Sequence, residues 1–348
     1  MRSPQPRGPI SATLLDRLTG TPGELAIPGT DLPGESPETA LSDEDLQLSL
    51  WVCYELSYRG FDGVDHAWET EPTLLALRTE LEQRFLAALR HRVAVPTAPD
   101  AASVPSALTA LIAADDGPEL ALYLQREATS EQFAEFVAHR SLYHLKEADP
   151  HSWAIPRVDG KAKAALVEIQ ADEYGGGRFE RMHSELFRAM MRDLGLDATY
   201  GAFLDRVPAV TLAVSNTMSF FGLHRRWTPA LLGHLAVVEM TSSLPNRRYG
   251  NGLRRLGHDA KTTYFFDEHV EADAVHEQIA ANDLCGGYAH DHPESAGDIL
   301  FGAACALTAE AAMADHLLTR WAAGESSLLR DSAGVGAEGP VHAASAAR

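Results

Sequence analysis

The sequence is poor in cysteine, in basic residues and in strand-like alternation, and each shortage excludes something. Its cysteines are Cys53, Cys285 and Cys305, an odd number with no Cys-x-x-Cys spacing. That argues against a disulfide framework and against a thiolate-rich zinc site. Lys and Arg total 29 against 49 Asp and Glu, for a formal charge of −20. A nucleic-acid binder needs a basic stripe to neutralise phosphates, and an anionic membrane surface makes the same demand, so neither partner is expected. No apolar run is expected to reach membrane-spanning length. The opening segment MRSPQPRGPISATLLDRL has no uninterrupted apolar core of the secretory kind. The expectation is a cytoplasmic protein that does not span a membrane.

What is present is helical. Apolar residues make up 45% of the 348 positions, enough for a large core. Residues 1–40, rich in Pro, Gly, Ser and Thr, read as a flexible arm or surface wrap. From Ser42, taken as an N-cap, amphipathic helices run through SDEDLQLSLWVCYELSYRG and EPTLLALRTELEQRFLAALRHRV. Residues 41–104 thus form an N-terminal helical extension, and Pro96, Pro99 and Pro105 mark a linker at its end. Apolar spacings of three and four then predict helices near 104–114, 117–127 and 129–146. A long helix from Lys161 to Leu194 is interrupted by Gly175, Gly176 and Gly177. Further helices are expected near 197–222, from Pro229 to Leu244, over roughly 251–283 and over about 294–323, with a polar loop around Pro245, Asn246 and Gly250. The tail from residue 324 is small and polar and reads as disordered. The fold class is all-α: a bundle of about seven core helices over residues 105–323 with N-terminal additions.

Within DEHVEADAVHEQ, His269 precedes Asp273 by four residues and His276 by seven. At about 100° per residue those side chains fall within about 60° of one another. One helix face therefore offers two imidazoles and a carboxylate, a donor set suited to iron or manganese. Alone, the same pattern fits a solvated acidic stripe. Glu239 adds weight, because it sits in PALLGHLAVVEMTSSL among apolar neighbours. A carboxylate buried there costs several kcal/mol unless it is paired, with Arg247 or Arg248 for instance, or bound to a cation.

ADEYGGGRFERMHSELF supplies Glu173 and His183. In a straight helix these two would be about 15 Å apart along the axis and about 80° apart around it. They can share a site only if the three glycines distort the helix. Each glycine costs roughly 1 kcal/mol relative to Ala within a helix, so their presence suggests a local reason. Glu180, three residues before His183, is the reserve ligand. Arg178, Arg181 and Lys261 are candidates for holding a substrate carboxylate. His151, His224, His234, His290, His292 and His316 have no carboxylate at a repeating ligand spacing and read as structural or surface residues.

Glu173, His183, Glu239 and His-x3-Asp-x2-His, in that order, resemble the heme-oxygenase-like di-iron oxidase and oxygenase family. EIQADEYGGGRFERMHSELF in particular is similar to its bacterial iron-containing redox enzymes. The resemblance spans roughly residues 105–322. It implies a seven-helix, commonly dimeric fold. It also implies two Fe(II) ions, or a Mn/Fe pair, held by Glu173, His183, Glu239, His269, Asp273 and His276. O2 would be the co-substrate, a small metabolite the substrate, and an external donor a source of electrons. The reactions implied are N-oxygenation of an amine or amino acid, or oxidative C–C cleavage or desaturation of a fatty or amino acid. A non-redox enzyme or binding module on the same fold is the remaining expectation.

Overall fold

The computed structural model describes residues 1–23, 37–93 and 100–330, and for residues 271–274 it describes the backbone alone. Among the described residues there are helices and no strands. They run α1 (Pro9–Leu18), α2 (Glu44–Glu55), α3 (Pro72–Arg92), α4 (Val104–Ala113), α5 (Leu120–Arg126), α6 (Ser130–His144) and α7 (Asp149–Ser152). There follow α8 (Gly160–Glu173), α9 (His183–Asp193), α10 (Ala209–Leu223), α11 (Thr228–Arg255), α12 (Ala260–Gln278), α13 (Gly287–Asp291) and α14 (Ala296–Ala322). A π-helical stretch, Ile279–Gly286, joins α12 to α13.

Local signals account for several starts. Thr129 and Gln132 form a reciprocal capping box at α6. The Asp259 side chain accepts from the backbone N–H groups of Lys261 and Thr262 at α12. Asp43, not Ser42, caps α2, since its side chain accepts from Leu46 N–H while Ser42 closes a preceding 3-10 turn.

α11 is the hub, packed against α5, α12 and α14. Its crossing with α14 is close because both helices carry glycine there. A Cβ on Gly233 would lie 1.9 Å from the Ile299 carbonyl oxygen, and one on Gly302 would lie 1.9 Å from that of Ala230. α10 packs on α2, so the N-terminal helices share one apolar core with the bundle.

The structure departs from the sequence reading in several places, among them the helix expected near 197–222, which starts at Ala209, and the tail, where Ser327 is buried and donates to Glu135. Within the supposed arm, residues 9–18 form α1, whose Ile10, Leu14 and Leu18 are buried. Asp45 caps α1 from α2, accepting from the N–H groups of Ile10 and Ser11 at 2.8 and 2.7 Å. The expected loop at Pro245–Gly250 is helix. α11 runs through Pro245 because the buried Asn246, Tyr249 and Leu253 continue its inner face, which offsets the roughly 3 kcal/mol cost of an internal proline. The break falls instead at Gly257, with φ +94°, and separates α11 from α12. Finally, Pro293–Ala322 is long and apolar enough to cross a membrane by length and composition, yet 61% of its apolar window is buried inside the bundle.

Candidate metal centre

Glu173 is the last residue of α8, and His183 is the first of α9. Between them Gly175, Gly176 and Gly177 all have positive φ, at 64°, 60° and 77°. Gly175 also lies against the chain that returns: a Cβ there would sit 2.5 Å from the Arg181 carbonyl carbon. The glycines fold the chain back on itself and bring His183 Nδ1 to 2.9 Å from Glu173 Oε2. Glu180 is exposed in the intervening turn and is not part of the cluster.

Two groups of buried ligand atoms result, and within each group the atoms lie within 4.8 Å of one another. Glu147, Glu173, His183 and His269 make the first; Glu173, Glu239 and His276 make the second. Glu173 belongs to both. The structure therefore brings together five of the six residues expected from the sequence. The sixth, Asp273, has its backbone on α12 between His269 and His276, and its side chain lies outside the described residues.

Glu147 is the member that sequence reasoning missed. It lies in HLKEADP, where a glutamate between lysine and aspartate at a helix end looks solvated, and no ligand spacing marks it. The signal is tertiary. Its side chain is buried, Nδ1 of His144 lies 2.6 Å from Oε1, and Oε2 has no hydrogen-bond partner. The next residue, Ala148, takes φ +73°, a left-handed conformation unusual for a side chain with a Cβ. Surrounding groups hold this turn in place. Gln170 donates to the Ala148 carbonyl at 2.8 Å, and Arg59 donates to that of Leu145 at 3.0 Å. Lys146 points the other way, into a buried ion pair with Glu55 of α2 at 3.1 Å, and Tyr200 donates to the same carboxylate at 2.7 Å. The N-terminal helices thus help fix Glu147.

The imidazoles are oriented from behind. His269 Nδ1 lies 2.7 Å from the Phe265 carbonyl, which requires Nδ1 to carry the proton and leaves Nε2 facing the carboxylates. His276 has Nε2 3.0 Å from Asp172 and Nδ1 3.2 Å from Glu239. Burial opposes its charged form, but Glu239, Asp172 and Glu173 outweigh that and raise its pKa to about 9. Burial and the neighbouring His269 work against a charged His183 too, and Glu173 raises its pKa nonetheless. Desolvation tends to raise the Glu147 carboxyl, yet His144 and His269 bring its pKa below the usual range.

Among the described residues, imidazoles supply the close ion-pair partners of Glu147, Glu173 and Glu239; Arg248 pairs with Glu119 instead. Three buried carboxylates grouped with three imidazoles, one Glu147 oxygen having no hydrogen-bond partner, fit cations rather than protons.

A cavity of about 340 Å³ adjoins this centre and is lined by Tyr143, His144 and Phe187 on the cluster side. Arg181 is half-exposed beside Glu268, and Lys261 is exposed and paired with Asp193. Neither they nor Arg178 line the cavity; its arginines are Arg140 and Arg248. His151 and His234 are buried 3.2 Å apart, and Cys285 is a buried packing residue whose thiol donates to the Leu232 carbonyl.

The model of the iron-containing redox enzymes matches residues 134–311, a span that holds every residue of both groups. A nitrosourea synthase from Streptomyces achromogenes subsp. streptozoticus is 28% identical over 138 residues, 39% of this chain and 29% of that protein. The chain thus matches under a third of that relative's length. Because the family match covers slightly more than half of the 348 residues and contains the buried Glu/His cluster, the chain belongs to the iron-containing redox enzymes and is an oxidoreductase.

Proposed function

We propose that the chain holds two iron ions and uses O2 to oxygenate nitrogen in a small amine or amino acid. The observation that carries the two-ion reading is Glu173, which belongs to both ligand groups and can bridge them. Glu147, His183 and His269 would complete one ion's set, and Glu239, His276 and Asp273 the other's. Bound as Fe(II), the pair would supply the electrons and open coordination positions that O2 reduction requires. The protein's own part is separate. Phe265 and Asp172 fix which nitrogen of His269 and His276 faces the ions. His144 holds Glu147, and Phe187 and Tyr143 shield that end of the cavity from water. Mn/Fe loading is a variant of the same reading, and an external donor would restore the reduced state between turnovers.

The choice of nitrogen over carbon rests on the nitrosourea synthase, whose named product contains an N–O bond. The test is reconstitution with Fe(II) under anaerobic conditions, then exposure to labelled O2 with candidate amines. About two irons per chain and label in an N-oxidised product are expected. Fewer than one iron per chain would sink the reading. An alkene, aldehyde or CO2 without label transfer would favour oxidative desaturation or C–C cleavage.

A further inference from the structure

The cavity beside the cluster has a charged waist. Arg140 of α6 and Glu310 of α14 face each other there in a two-pronged ion pair, with Nη1–Oε1 and Nη2–Oε2 both 2.7 Å. The Arg140 guanidinium lies 5.5 Å from the Phe136 ring centre, and its side chain is only 18% exposed. The lining also includes apolar Val214, Met218 and Val237 and polar Thr241, Ser242 and Tyr249, the last a further hydrogen-bond partner of Arg140. Exposed Asp115 and Glu119 mark the mouth, and Tyr143, His144 and Phe187 mark the floor. Arg140 and His144 lie one helical turn apart on α6, so the waist sits about 6 Å along the axis from the floor.

We propose that the Arg140–Glu310 pair is the head-group site for an α-amino acid, which enters as a zwitterion with its side chain directed to the metal centre. The inference rests on the proposed function, since it names the substrate class of that site. Charge matching favours such a ligand. A zwitterion can part the pair and replace both halves, carboxylate on the Arg140 fork and ammonium on Glu310, leaving no charge unmatched. A fatty acid would satisfy Arg140 and leave Glu310 against a second anion. A simple amine would leave Arg140 uncompensated. The spacing also asks for a side chain about three or four heavy atoms long between head group and floor.

The test is anaerobic calorimetry, so that no turnover occurs, on both the iron-loaded and the metal-free chain. The probes are the twenty standard L-amino acids, each binder being compared with its decarboxylated amine and its N-acetyl derivative, with decanoate as the fatty-acid probe. At least one amino acid is expected to bind at least tenfold more tightly than either derivative and than decanoate. Glu310→Gln and Arg140→Lys are expected to weaken that binding at least tenfold with iron content unchanged. No binding by any amino acid, equal binding of a derivative, or tightest binding of decanoate overturns the proposal. So do variants that lower the melting temperature but leave the preference intact. Should a variant fail to fold, the comparison of probes on the unaltered chain decides. If iron does not load but the head-group preference holds on the metal-free chain, the di-iron reading has failed and this one has not.

Discussion

Glu147 shows how a residue can join the candidate centre without being visible in the sequence. His269, Asp273 and His276 announce themselves by spacing, and Glu239 by its apolar neighbours. Glu147 has neither advantage, and only the left-handed turn at Ala148 and the clamp from Gln170, Arg59 and Lys146 turn it inward. Its assignment leads to an asymmetric expectation. Glu147→Ala removes one donor from the first group alone, so iron should fall from about two per chain toward one. Glu173→Ala removes a donor from both groups and should bring iron close to zero. Iron analysis after anaerobic reconstitution separates the two outcomes, and equal loss in both variants would count against Glu173 as the shared ligand. Glu55 acts one step further away. Glu55→Ala leaves the Lys146 ammonium buried without its carboxylate, at a cost of about 3–5 kcal/mol, whereas Glu55→Leu with Lys146→Met should cost far less. Chemical denaturation of the three chains tests this; similar losses in the single and double variants would mean that packing, not charge, dominates there.

At the scale of elements, most helices were legible because a period of 3.6 with polar outer faces is hard to mistake. The failures share a cause. α11 passes through Pro245, and α1 forms within a Pro/Gly-rich opening, because burial against neighbouring helices overrides the local cost, and a neighbour is what a linear reading cannot see. The break between α8 and α9 went the other way. Three glycines gave it away, since no tertiary contact makes a run of glycines a good helix. Glu173 and His183 meet only because of that break, and Gly175 is its tightest point. A Cβ there meets backbone at 2.5 Å in a conformation with φ +64°. Gly175→Ala should therefore cost about 2 kcal/mol or more and pull the two ligands apart. Gly176→Ala, with the same sign of φ but open space around it, should cost only about 1 kcal/mol and keep the iron. Thermal melts paired with iron content check this, and iron retained in full by Gly175→Ala would mean that the turn tolerates opening.

The whole molecule carries its histidines in two opposite conditions, and pH separates them. Burial holds His139 down to about 3 and His234 down to about 4, and pushes His151 well below the usual imidazole value. His139 bridges Thr211 and Ser327, with His316, Glu135 and Arg140 as its charged surroundings, while His151 and His234 share a hydrogen bond. As pH falls below about 6.5 the unfolded chain protonates these three and the folded chain does not, so stability drops by up to about 1.4 kcal/mol per pH unit for each. His183 and His276 have raised values in the metal-free chain, so the stability they contribute is fully present below about 6.5 and does not change in that range. The carboxylates with lowered values, Glu147, Glu135, Glu131, Asp100, Asp197 and Asp259, begin to matter only below about 4.5. Between about pH 6.5 and 4.5, then, the metal-free chain should unfold with an uptake of up to about three protons. Urea melts across that window measure the uptake as the slope of stability against pH. His139→Gln, which keeps polar atoms near Thr211 and Ser327, should start from lower stability but reduce the slope by about one proton. A slope unchanged by that substitution would mean that His139 is protonated in the folded chain, and that its burial among Thr211, Ser327 and α14 is looser than the structure shows.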